Sequence, residues 1–437
     1  MAEPQSNGRL AFESPEVIQA TQDALVRAHV RYCAERSPYY RRLFATHGID
    51  PEAVRGAADL ARIPFTTKEA LAEHNPDFLA VPEREIVDVC QTSGTTGTPV
   101  AMLQTAADLA RLGTNEALAF GAAGLTAEDR VLIAAAIDRC FMAGLAYFLG
   151  LTRIGAMVIR AGSASVPLLA ELIHRHRPTA LVGVPTLLVA AAEQLRSTGA
   201  DPTALGVRRA ICIGEPVRVE DLSLSPLGAR LRDRWGAAVL GTYASTEMAT
   251  TFAECEARRG GHLQPELIAV EIVDETGRLL PPGEAGEVVA TPLGVTGMPL
   301  LRFQTGDIAR LHAERCPCGR TAPRLGPVIG RKAQMLKVRG TTVYPSAVFA
   351  ALQELDGIAG YYLVVDSDYD LSDRIRVVVG SRSPDLSPLV VAEAVSARTR
   401  VKPEVAIVTP EEIVRVTHQE GKRKPVTFID RRGGAHD

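Results

Sequence analysis

The sequence lacks several features that would each indicate a particular class of protein. No apolar run is long enough to span a bilayer, and the N-terminal stretch MAEPQSNGRLAFESPE has no apolar signal-peptide core. Seven cysteines in 437 residues are too few for a disulfide framework. The formal net charge of −3 gives no bulk electrostatic reason to bind nucleic acid or an anionic membrane. We therefore expect a cytoplasmic protein that works without a nucleic-acid or membrane partner.

What is present is typical of a globular protein of two or three domains. Hydrophobic residues make up 46% and charged residues 23%, and no internal repeat or low-complexity tract interrupts the chain. Residues 15–35 have helical periodicity. Short apolar runs separated by helix-like spans such as 166–176 predict buried strands at 131–137, 156–162, 180–185, 208–216 and 237–243. This alternation predicts an α/β fold with a largely parallel sheet.

Two later stretches differ from this pattern. Residues 267–291 contain two strand-like runs separated by Gly/Pro turns, which predicts an antiparallel hairpin. After Gly330 the elements follow a β-α-β-β-α-β-like order over about a hundred residues, which predicts a small α+β domain. We therefore predict a large N-terminal domain with mixed sheets and helices at 1–330 and a C-terminal domain at 331–437.

Residues 91–100, QTSGTTGTPV, concentrate hydroxyl groups and glycine in a way that suits neither helix nor strand. One interpretation is a solvated linker. The other is a phosphate loop, in which backbone N–H groups and hydroxyls surround the oxygens of a nucleotide. On that interpretation the binding residues are Thr92, Ser93, Gly94, Thr95, Thr96 and Gly97.

The order of the further motifs distinguishes these interpretations. The loop is followed by GEP, YASTE, RFQTGD, GRKAQMLKVRG and EGKRKP at 214–216, 243–247, 302–307, 330–340 and 420–425. In this order the motifs resemble those of the adenylate-forming superfamily of acyl-CoA synthetases. CPCGRTAPR and GTTVYPS, with the hairpin stretch, resemble the phenylacetate–CoA ligase family more closely, and the resemblance covers almost the whole chain.

The resemblance implies an ATP-dependent, AMP-forming acid–CoA ligase for an aryl or arylacetic acid. Such an enzyme converts a carboxylic acid and ATP into an acyl-adenylate and pyrophosphate, and the thiol of coenzyme A then displaces AMP. Two alternatives stay open: transfer to an amine or a carrier protein, and a non-catalytic nucleotide-binding relative. The presence of Glu247, Asp307, Arg331 and a terminal lysine argues against the last. The oligomeric state is open, with a homodimer as one alternative.

The resemblance also implies a nucleotide site. The GEP motif would line the adenine pocket with Gly214, Glu215 and Pro216. Tyr243 would pack on the base, with Ala244 and Ser245 beside it, and Asp307 would accept hydrogen bonds from the ribose hydroxyls.

The remaining implied residues act on the phosphates. Thr246 would contact a phosphate, Glu247 would help to hold Mg²⁺, and Arg331 would neutralise nucleotide charge. A lysine near the C-terminus would bridge the carboxylate and the α-phosphate. Lys422 follows a glycine, as in the usual Gly–Lys pair, whereas Lys424 has the better spacing to Ile429–Asp430. The other lysine would belong to a solvated basic tail.

The acyl pocket is expected around Ala136, Asp138 and Phe141, together with Gly214 and Tyr243. Phenylacetate-type enzymes tend to have aromatic and glycine residues where this chain has 136–139. Asp138 would either form a salt bridge or face solvent, or meet an amino or hydroxyl group of the substrate.

Two more positions depart from the family pattern. The phosphate loop usually carries lysine where Thr98 stands, and the hinge between the domains usually has an acidic residue where Ala333 stands. The family rotates its small domain at this hinge between the two half-reactions. Both departures keep the alternative acceptors open.

Cysteine and histidine give a separate signal. A C-x-C pair and a distant Cys/His pair suit tetrahedral Zn²⁺ with four protein ligands, which is a structural site. The four candidates are Cys255, His262, Cys316 and Cys318. Reduced cysteines without metal are the alternative. The four remaining cysteines, Cys33, Cys90, Cys140 and Cys212, are expected in the core.

Overall fold

The computed structural model describes most of the chain and divides it into two compact units. The described residues are 8–92, 100–338, 341–369, 372–418 and 425–432. The units are Met1–Val328 and Ile329–Asp437. In the described residues no helix combines the length and apolar character needed to cross a membrane.

The described part of the first unit contains eight α-helices. They are α1 (Pro15–Arg36), α2 (Pro38–His47), α3 (Lys68–Glu73), α4 (Ala106–Ala122), α5 (Met142–Ile154), α6 (Val166–His176), α7 (Pro185–Ser197) and α8 (Pro226–Trp235). The predicted helices at 15–35 and 166–176 correspond to α1 and α6 and are confirmed. Ser14 caps α1 by accepting a hydrogen bond from the Val17 amide, at 3.4 Å.

Thirteen strands lie in the same part of the chain. They are β1 (Ile86–Gln91), β2 (Ala101–Thr105), β3 (Arg130–Ala134), β4 (Met157–Arg160), β5 (Ala180–Gly183), β6 (Arg209–Cys212), β7 (Ala238–Ser245), β8 (Thr250–Glu254), β9 (Gly261–His262), β10 (Ile268–Val273), β11 (Ala285–Pro292), β12 (Phe303–His312) and β13 (Arg324–Leu325).

A parallel sheet forms the centre of the first unit. Its strands follow the order β7-β6-β5-β3-β4, and every neighbouring pair is parallel. Side chains alternate between the two faces, so Val131 and Ile133 pack with residues of α4 and α5. Leu132 and Ala134 lie on the other face with residues of α6, α7 and α8. Both faces are covered, which explains the continuous apolar runs.

The predicted parallel strands are confirmed, with two corrections of length and one of burial. The strand expected at 208–216 ends at Cys212. The strand expected at 131–137 ends at Ala134. Arg139 and Cys140 beyond it have φ angles of 57° and 55°, in the left-handed region that a strand excludes. Cys140 is exposed, so its prediction as a core residue was wrong. An apolar-looking neighbourhood in sequence did not reveal that the chain turns outward here.

Antiparallel strands extend this sheet beyond β7. The order continues β8-β9-β13-β12-β11-β10, and β7 and β8 are antiparallel. The hairpin predicted at 267–291 is confirmed as β10 and β11, with Ile268 opposite Pro292. A separate two-stranded ribbon joins β1 to β2.

The second unit has its own sheet and core. Its described strands are β14 (Gly330–Arg331), β15 (Leu336–Val338), β16 (Thr341–Val343), β17 (Ile358–Tyr369), β18 (Ser372–Ser381), β19 (Glu404–Val408) and β20 (Phe428–Asp430). Its described helices are α9 (Pro345–Gln353), α10 (Pro388–Thr399) and α11 (Pro410–Thr417). The four-stranded sheet has the order β19-β18-β17-β20, and Val348, Leu363, Val377 and Val391 are among its core residues. The predicted small α+β fold is confirmed.

Helix α4 carries a carboxyl group into the core of the first unit. Glu116 is 2% exposed and accepts hydrogen bonds from the Thr251 hydroxyl at 2.5 Å and the Asn115 side chain at 3.2 Å. No arginine or lysine pairs with it in the described residues. Burial therefore raises the pKa of Glu116 to about 7, and the two hydrogen bonds offset only part of this shift.

The Glu116 carboxyl should make the folded state less stable as pH rises. The unfolded chain loses this proton near pH 4.5, whereas the native state keeps it until about pH 7. The free energy of unfolding should therefore fall between these pH values, by about 3 kcal/mol in total. Glu116→Gln should remove this fall, so that the variant equals the parent near pH 5 and exceeds it at pH 8.

The measurement is urea unfolding of both proteins from pH 5 to pH 8. The readout is the difference between their free energies of unfolding at each pH. Exposed Glu69 on α3 provides the control. The difference in the free energy of unfolding between Glu69→Gln and the parent should not change with pH. A Glu116→Gln variant that stays less stable than the parent at pH 8 would contradict a neutral Glu116.

Candidate active site

The predicted site residues of the first unit meet at one edge of the sheet. Strands β3, β5, β6 and β7 are parallel, so their carboxyl ends point the same way. The chain segments that leave them are 135–141, 184–186, 213–216 and 246–249. In open α/β sheets, ligands bind in the crevice outside the carboxyl ends of the strands. The topology therefore brings the predicted acyl pocket and nucleotide motifs to one crevice.

The GEP motif is held against the start of a neighbouring helix. Gly214 has a φ angle of 73°, which favours glycine. The Glu215 carboxylate accepts hydrogen bonds from the Thr186 amide at 3.1 Å and the Thr186 hydroxyl at 3.0 Å. Thr186 lies in the first turn of α7, where backbone N–H groups attract negative charge. Glu215 therefore positions the predicted adenine-pocket residues by capping α7.

A hydrogen bond connects the predicted base and ribose contacts. The Tyr243 hydroxyl donates to Asp307 Oδ2 at 2.9 Å, which joins β7 to β12. Desolvation raises the pKa of Tyr243 well above its usual value, and the nearby Asp307 charge adds to the shift. Tyr243 therefore remains a donor at neutral pH and orients the Asp307 carboxylate.

The turn that carries Thr246 and Glu247 is fixed by an arginine that the sequence did not identify. Fully buried Arg111 of α4 donates to the Ala249 carbonyl at 2.6 Å and to the Leu293 carbonyl at 2.7 Å. Ala249 has a φ angle of 46°, and the Arg111 contact holds this left-handed residue. Burial lowers the pKa of Arg111 to about 10, so it stays charged at neutral pH. A single arginine in an apolar helix gives no sequence signal for this role.

Glu247 faces a narrow cavity. The cavity is lined by Thr246 and Glu247, by Met102 and Gln104 of β2, and by Met142 at the start of α5, among others. The Glu247 carboxylate hydrogen-bonds to none of the described residues. A carboxylate oxygen that is free at this edge fits a hard cation such as Mg²⁺.

The base of the predicted phosphate loop is closed by its flanking residues. The Thr92 amide donates to the Val100 carbonyl at 3.0 Å, and the Val100 amide donates to the Thr92 hydroxyl at 3.1 Å. The Gln91 amide donates to the Cys140 carbonyl at 2.8 Å, so the ribbon is joined to the segment after β3. Residues 93–99, which contain Ser93, Gly94, Thr95, Thr96 and Gly97, lie outside the described residues.

The predicted acyl-pocket residues differ in exposure. Ala136 and Phe141 are partly buried. Asp138 is exposed, with its carboxylate 3.4 Å from the Arg139 guanidinium. This arrangement corresponds to the salt-bridge and solvent alternative. A contact between Asp138 and a substrate stays a prediction.

Four of the residues singled out in the sequence belong to the second unit. Arg331 is exposed on β14, and Ala333 lies in the one-turn 3-10 helix Lys332–Gln334. Lys422 and Lys424 lie outside the described residues. Their roles stay predictions.

The four predicted zinc ligands come together in the first unit. The ligand atoms of Cys255, His262, Cys316 and Cys318 all lie within 4.8 Å of one another. The sulfur atoms of Cys255 and Cys316 are 3.6 Å apart, and Cys318 Sγ is 3.5 Å from His262 Nε2. For bond lengths of about 2.0–2.3 Å, the edges of a tetrahedron are roughly 3.3–3.8 Å. These two distances therefore fit a shared tetrahedral ion.

The protonation states of this cluster also bear on metal binding. Burial, together with nearby arginines, lowers the pKa of His262 to about 3, so its ring is neutral at pH 7. Burial opposes ionisation of Cys318, but hydrogen bonds from Arg320 lower its pKa overall. Burial raises the pKa of Cys255 to about 12, so a thiolate there requires the charge of a bound cation. The donor set fits Zn²⁺.

Comparison with known proteins defines the class. A family model described as AMP-binding enzyme matches residues 16–297, which is more than half of the chain. The phenylacetate-coenzyme A ligase of Thermus thermophilus is 34% identical over 356 residues, covering 80% of this chain and 78% of that protein. The chain therefore has the fold and the family match of an AMP-binding enzyme. Within that class, the chain belongs to the phenylacetate–CoA ligase family.

A further curated relative agrees with this assignment, and solved structures share the fold. The phenylacetate-coenzyme A ligase of Aromatoleum evansii is 29% identical over 434 residues and covers 96% of both chains. A crystal structure of 2-hydroxyisobutyryl-CoA ligase with 2-HIB-AMP in the postadenylation state has a TM-score of 0.84 at 23% identity, covering 98% of this chain and 94% of that one. The structure of the same ligase with 2-HIB-AMP and CoA in the thioesterification state has a TM-score of 0.71 at 25% identity, covering 97% of this chain and 92% of that one.

Proposed function

We propose that this protein is an ATP-dependent acid–CoA ligase that forms an acyl-adenylate, releases pyrophosphate and transfers the acyl group to coenzyme A. The observation that carries this proposal is the meeting of 135–141, 213–216 and 243–247 at one sheet edge. The Tyr243–Asp307 hydrogen bond supports it, because it gives that edge a carboxylate suited to a ribose. Family membership supports the same reaction class.

The chain's own residues would divide the work. Glu215 and Thr186 would keep the adenine pocket in place, and Asp307 would accept from the ribose hydroxyls. Thr246 would donate to a phosphate oxygen. Glu247 would hold Mg²⁺, which supplies positive charge as two anions approach each other. Arg331 of the second unit would neutralise further nucleotide charge.

An aryl or arylacetic acid is the proposed substrate. The curated relatives named above are phenylacetate-coenzyme A ligases, which supports an acid of this kind. Pyrophosphate release across a panel of aryl, arylacetic and short aliphatic acids, with and without coenzyme A, tests the proposal. Release with an arylacetic acid and thioester formation on adding coenzyme A are expected. If none of these acids causes pyrophosphate release, the proposal is overturned.

A different acceptor is the second candidate. Thr98 and Ala333 replace residues that the family usually has in the phosphate loop and at the hinge. If acid-dependent pyrophosphate release occurs and coenzyme A is not acylated, an amine or a carrier protein is the acceptor.

We also propose that Cys255, His262, Cys316 and Cys318 hold a structural Zn²⁺. The ion would connect the end of β8 and strand β9 to the turn between β12 and β13. Four protein ligands leave no open position, so the metal would stabilise the fold and take no part in the reaction. The turn also packs on the N-terminal segment, because the Thr321 and Ala322 amides donate to the Ala11 carbonyl.

Replacing one proposed zinc ligand should remove metal and stability together. Cys316→Ser should lower bound zinc from about one ion per chain to far below that value, because such a site is completed only on folding. Thermal unfolding should shift to lower temperature. Elemental analysis of reduced, chelator-washed protein and a melting curve provide the measurement. Exposed Cys140 gives the control, since Cys140→Ser should keep both zinc and melting temperature. A zinc-free parent protein would refute the site.

A further inference from the structure

Gln104 supplies an unpaired hydrogen-bond acceptor beside the cavity at Thr246 and Glu247. Gln104 is 6% exposed and lines this cavity from β2. Its side-chain carbonyl oxygen is buried and has no hydrogen-bond partner among the described residues. A buried polar atom without a partner destabilises the fold, so native structures contain few of them. The site is therefore suited to a ligand that supplies the missing donor.

The neighbours of Gln104 determine which end of its amide is unpaired. The Cys90 thiol donates to Asp88 Oδ2 at 3.2 Å, and burial raises the pKa of Cys90, so the thiol keeps its proton. With its hydrogen committed to Asp88, the Cys90 sulfur can only accept. Gln104 Nε2 lies 3.7 Å from that sulfur and donates to it. The amide nitrogen is therefore engaged at Cys90, and the oxygen is the free end.

The other buried polar groups around the cavity already have partners. The Asp108 carboxylate accepts hydrogen bonds from the backbone amides of Thr105, Thr296 and Gly297. Arg111 donates to the Leu267 carbonyl as well as to the Ala249 and Leu293 carbonyls described above. The fold satisfies the Asp108 carboxylate, and the Arg111 guanidinium has no acceptor, so neither competes for a donor that enters the cavity.

The remaining wall is apolar and adaptable. It includes Met102, Leu112, Met142, Val295 and Met298. Methionine side chains are flexible and polarizable, so they adjust to a group of irregular shape. The cavity is narrow and admits groups about the size of a water molecule. It suits a single small substituent.

We propose that the acid activated by this enzyme carries a hydroxyl or amino group that enters this cavity and donates a hydrogen bond to Gln104 Oε1. This inference rests on the proposed function, because it requires the acyl-adenylate to lie beside Thr246 and Glu247. It narrows the substrate to arylacetic and aryl acids that carry an O–H or N–H donor.

The expected selectivity follows from the cost of an unpaired buried acceptor. A site that hydrogen-bonds a substrate hydroxyl discriminates strongly against the analogue that lacks it, because the protein group is then left without a partner. For one neutral hydrogen bond we expect a preference of roughly 10- to 100-fold in kcat/KM. The relevant comparison is 3- or 4-hydroxyphenylacetate and 4-aminophenylacetate against 4-methylphenylacetate, which matches them in size but has no donor.

The test compares these acids in the parent and in Gln104→Met, which replaces the amide with a side chain of similar length. In the parent, the hydroxy or amino acids should exceed the methyl acid by the stated factor in pyrophosphate release. In Gln104→Met the ratio should fall to about one, mainly because the donor acids become worse. Gln22 provides the control, because its side chain donates to the Pro265 and Ile268 carbonyls and none of these residues lines the cavity. Gln22→Met should keep the parent ratio.

Calorimetric binding of the same acids separates this inference from the proposed reaction. If neither protein releases pyrophosphate with any acid, the proposed function fails, and the ratio of dissociation constants for the hydroxy and methyl acids still tests Gln104. Tighter binding of the donor acids to the parent, lost in Gln104→Met, supports the subsite. Equal ratios in parent and variant, in turnover and in binding, would overturn it.

Discussion

Replacing Glu247 by glutamine should reduce the rate of acyl-adenylate formation about 10²–10³-fold while the fold stays intact. The change removes one negative charge from a group that would hold Mg²⁺, and losing one charged contact at a preorganised site typically has this effect. The carboxylate hydrogen-bonds to none of the described residues, so little stability should be lost with it. The rate should recover in part at higher Mg²⁺ concentration, because the variant binds the ion more weakly.

Single-turnover formation of acyl-adenylate from acid and ATP, measured over a series of Mg²⁺ concentrations, gives the result directly. Glu256 is a matched control, since it is an exposed glutamate in the same unit, paired with Arg209 at 2.7 Å. Glu256→Gln should have the parent rate, because exposed ion pairs contribute little. A Glu247→Gln protein that forms acyl-adenylate at the parent rate would show that Glu247 does not hold the metal.

Removing the correct C-terminal lysine should abolish the first half-reaction and leave the second. If Lys424 bridges the carboxylate and the α-phosphate, Lys424→Ala should lose adenylation by orders of magnitude, because no other group replaces its charge as the two anions meet. Supplied with ready-made acyl-adenylate, the same variant should still transfer the acyl group, since we expect thioester formation to use another face of the small domain. Lys422→Ala should then be nearly silent.

The opposite pattern, with Lys422→Ala inactive, would assign the role to Lys422. Exposed Lys402 of the second unit is the control, because a solvated surface charge changes little when removed. Both half-reactions are measured for each variant, with pyrophosphate release for the first and thioester formation for the second. If neither lysine variant loses adenylation, the C-terminal segment does not enter the active site.

Much of the fold was predictable because it depends on local patterns. Short continuous apolar runs located β3 to β7, and helical periodicity located α1 and α6, to within a few residues. The hairpin of β10 and β11 followed from turn residues between two strand-like runs. The end of β3 was placed three residues too late. Backbone angles at Arg139 and Cys140, which composition does not reveal, end the strand.

The candidate site was predictable only as far as its motifs reach. The order of the motifs indicated Tyr243, Thr246, Glu247 and Asp307, yet it carried no information about what positions them. Arg111 and Ala249 are 138 residues apart in the sequence, and their hydrogen bond forms because α4 packs next to β8. The Thr186 contact of Glu215 likewise depends on two strands ending at the same edge. Such contacts depend on how distant segments pack together, so no local sequence pattern predicts them.

By itself, the sequence predicted most of the secondary structure, the order of the motifs, the family and the four residues of the Cys/His cluster. The secondary structure follows from side-chain periodicity and glycine placement, which are properties of short segments. The family follows from the resemblance of the motifs, and of their order along the chain, to those of known enzymes. The tertiary structure alone decided that Cys140 is exposed, that Arg111 holds the Glu247 turn, and that the Gln104 oxygen is the free end of its amide. These features depend on contacts between distant segments and on burial, which raises the energetic cost of every unpaired polar group.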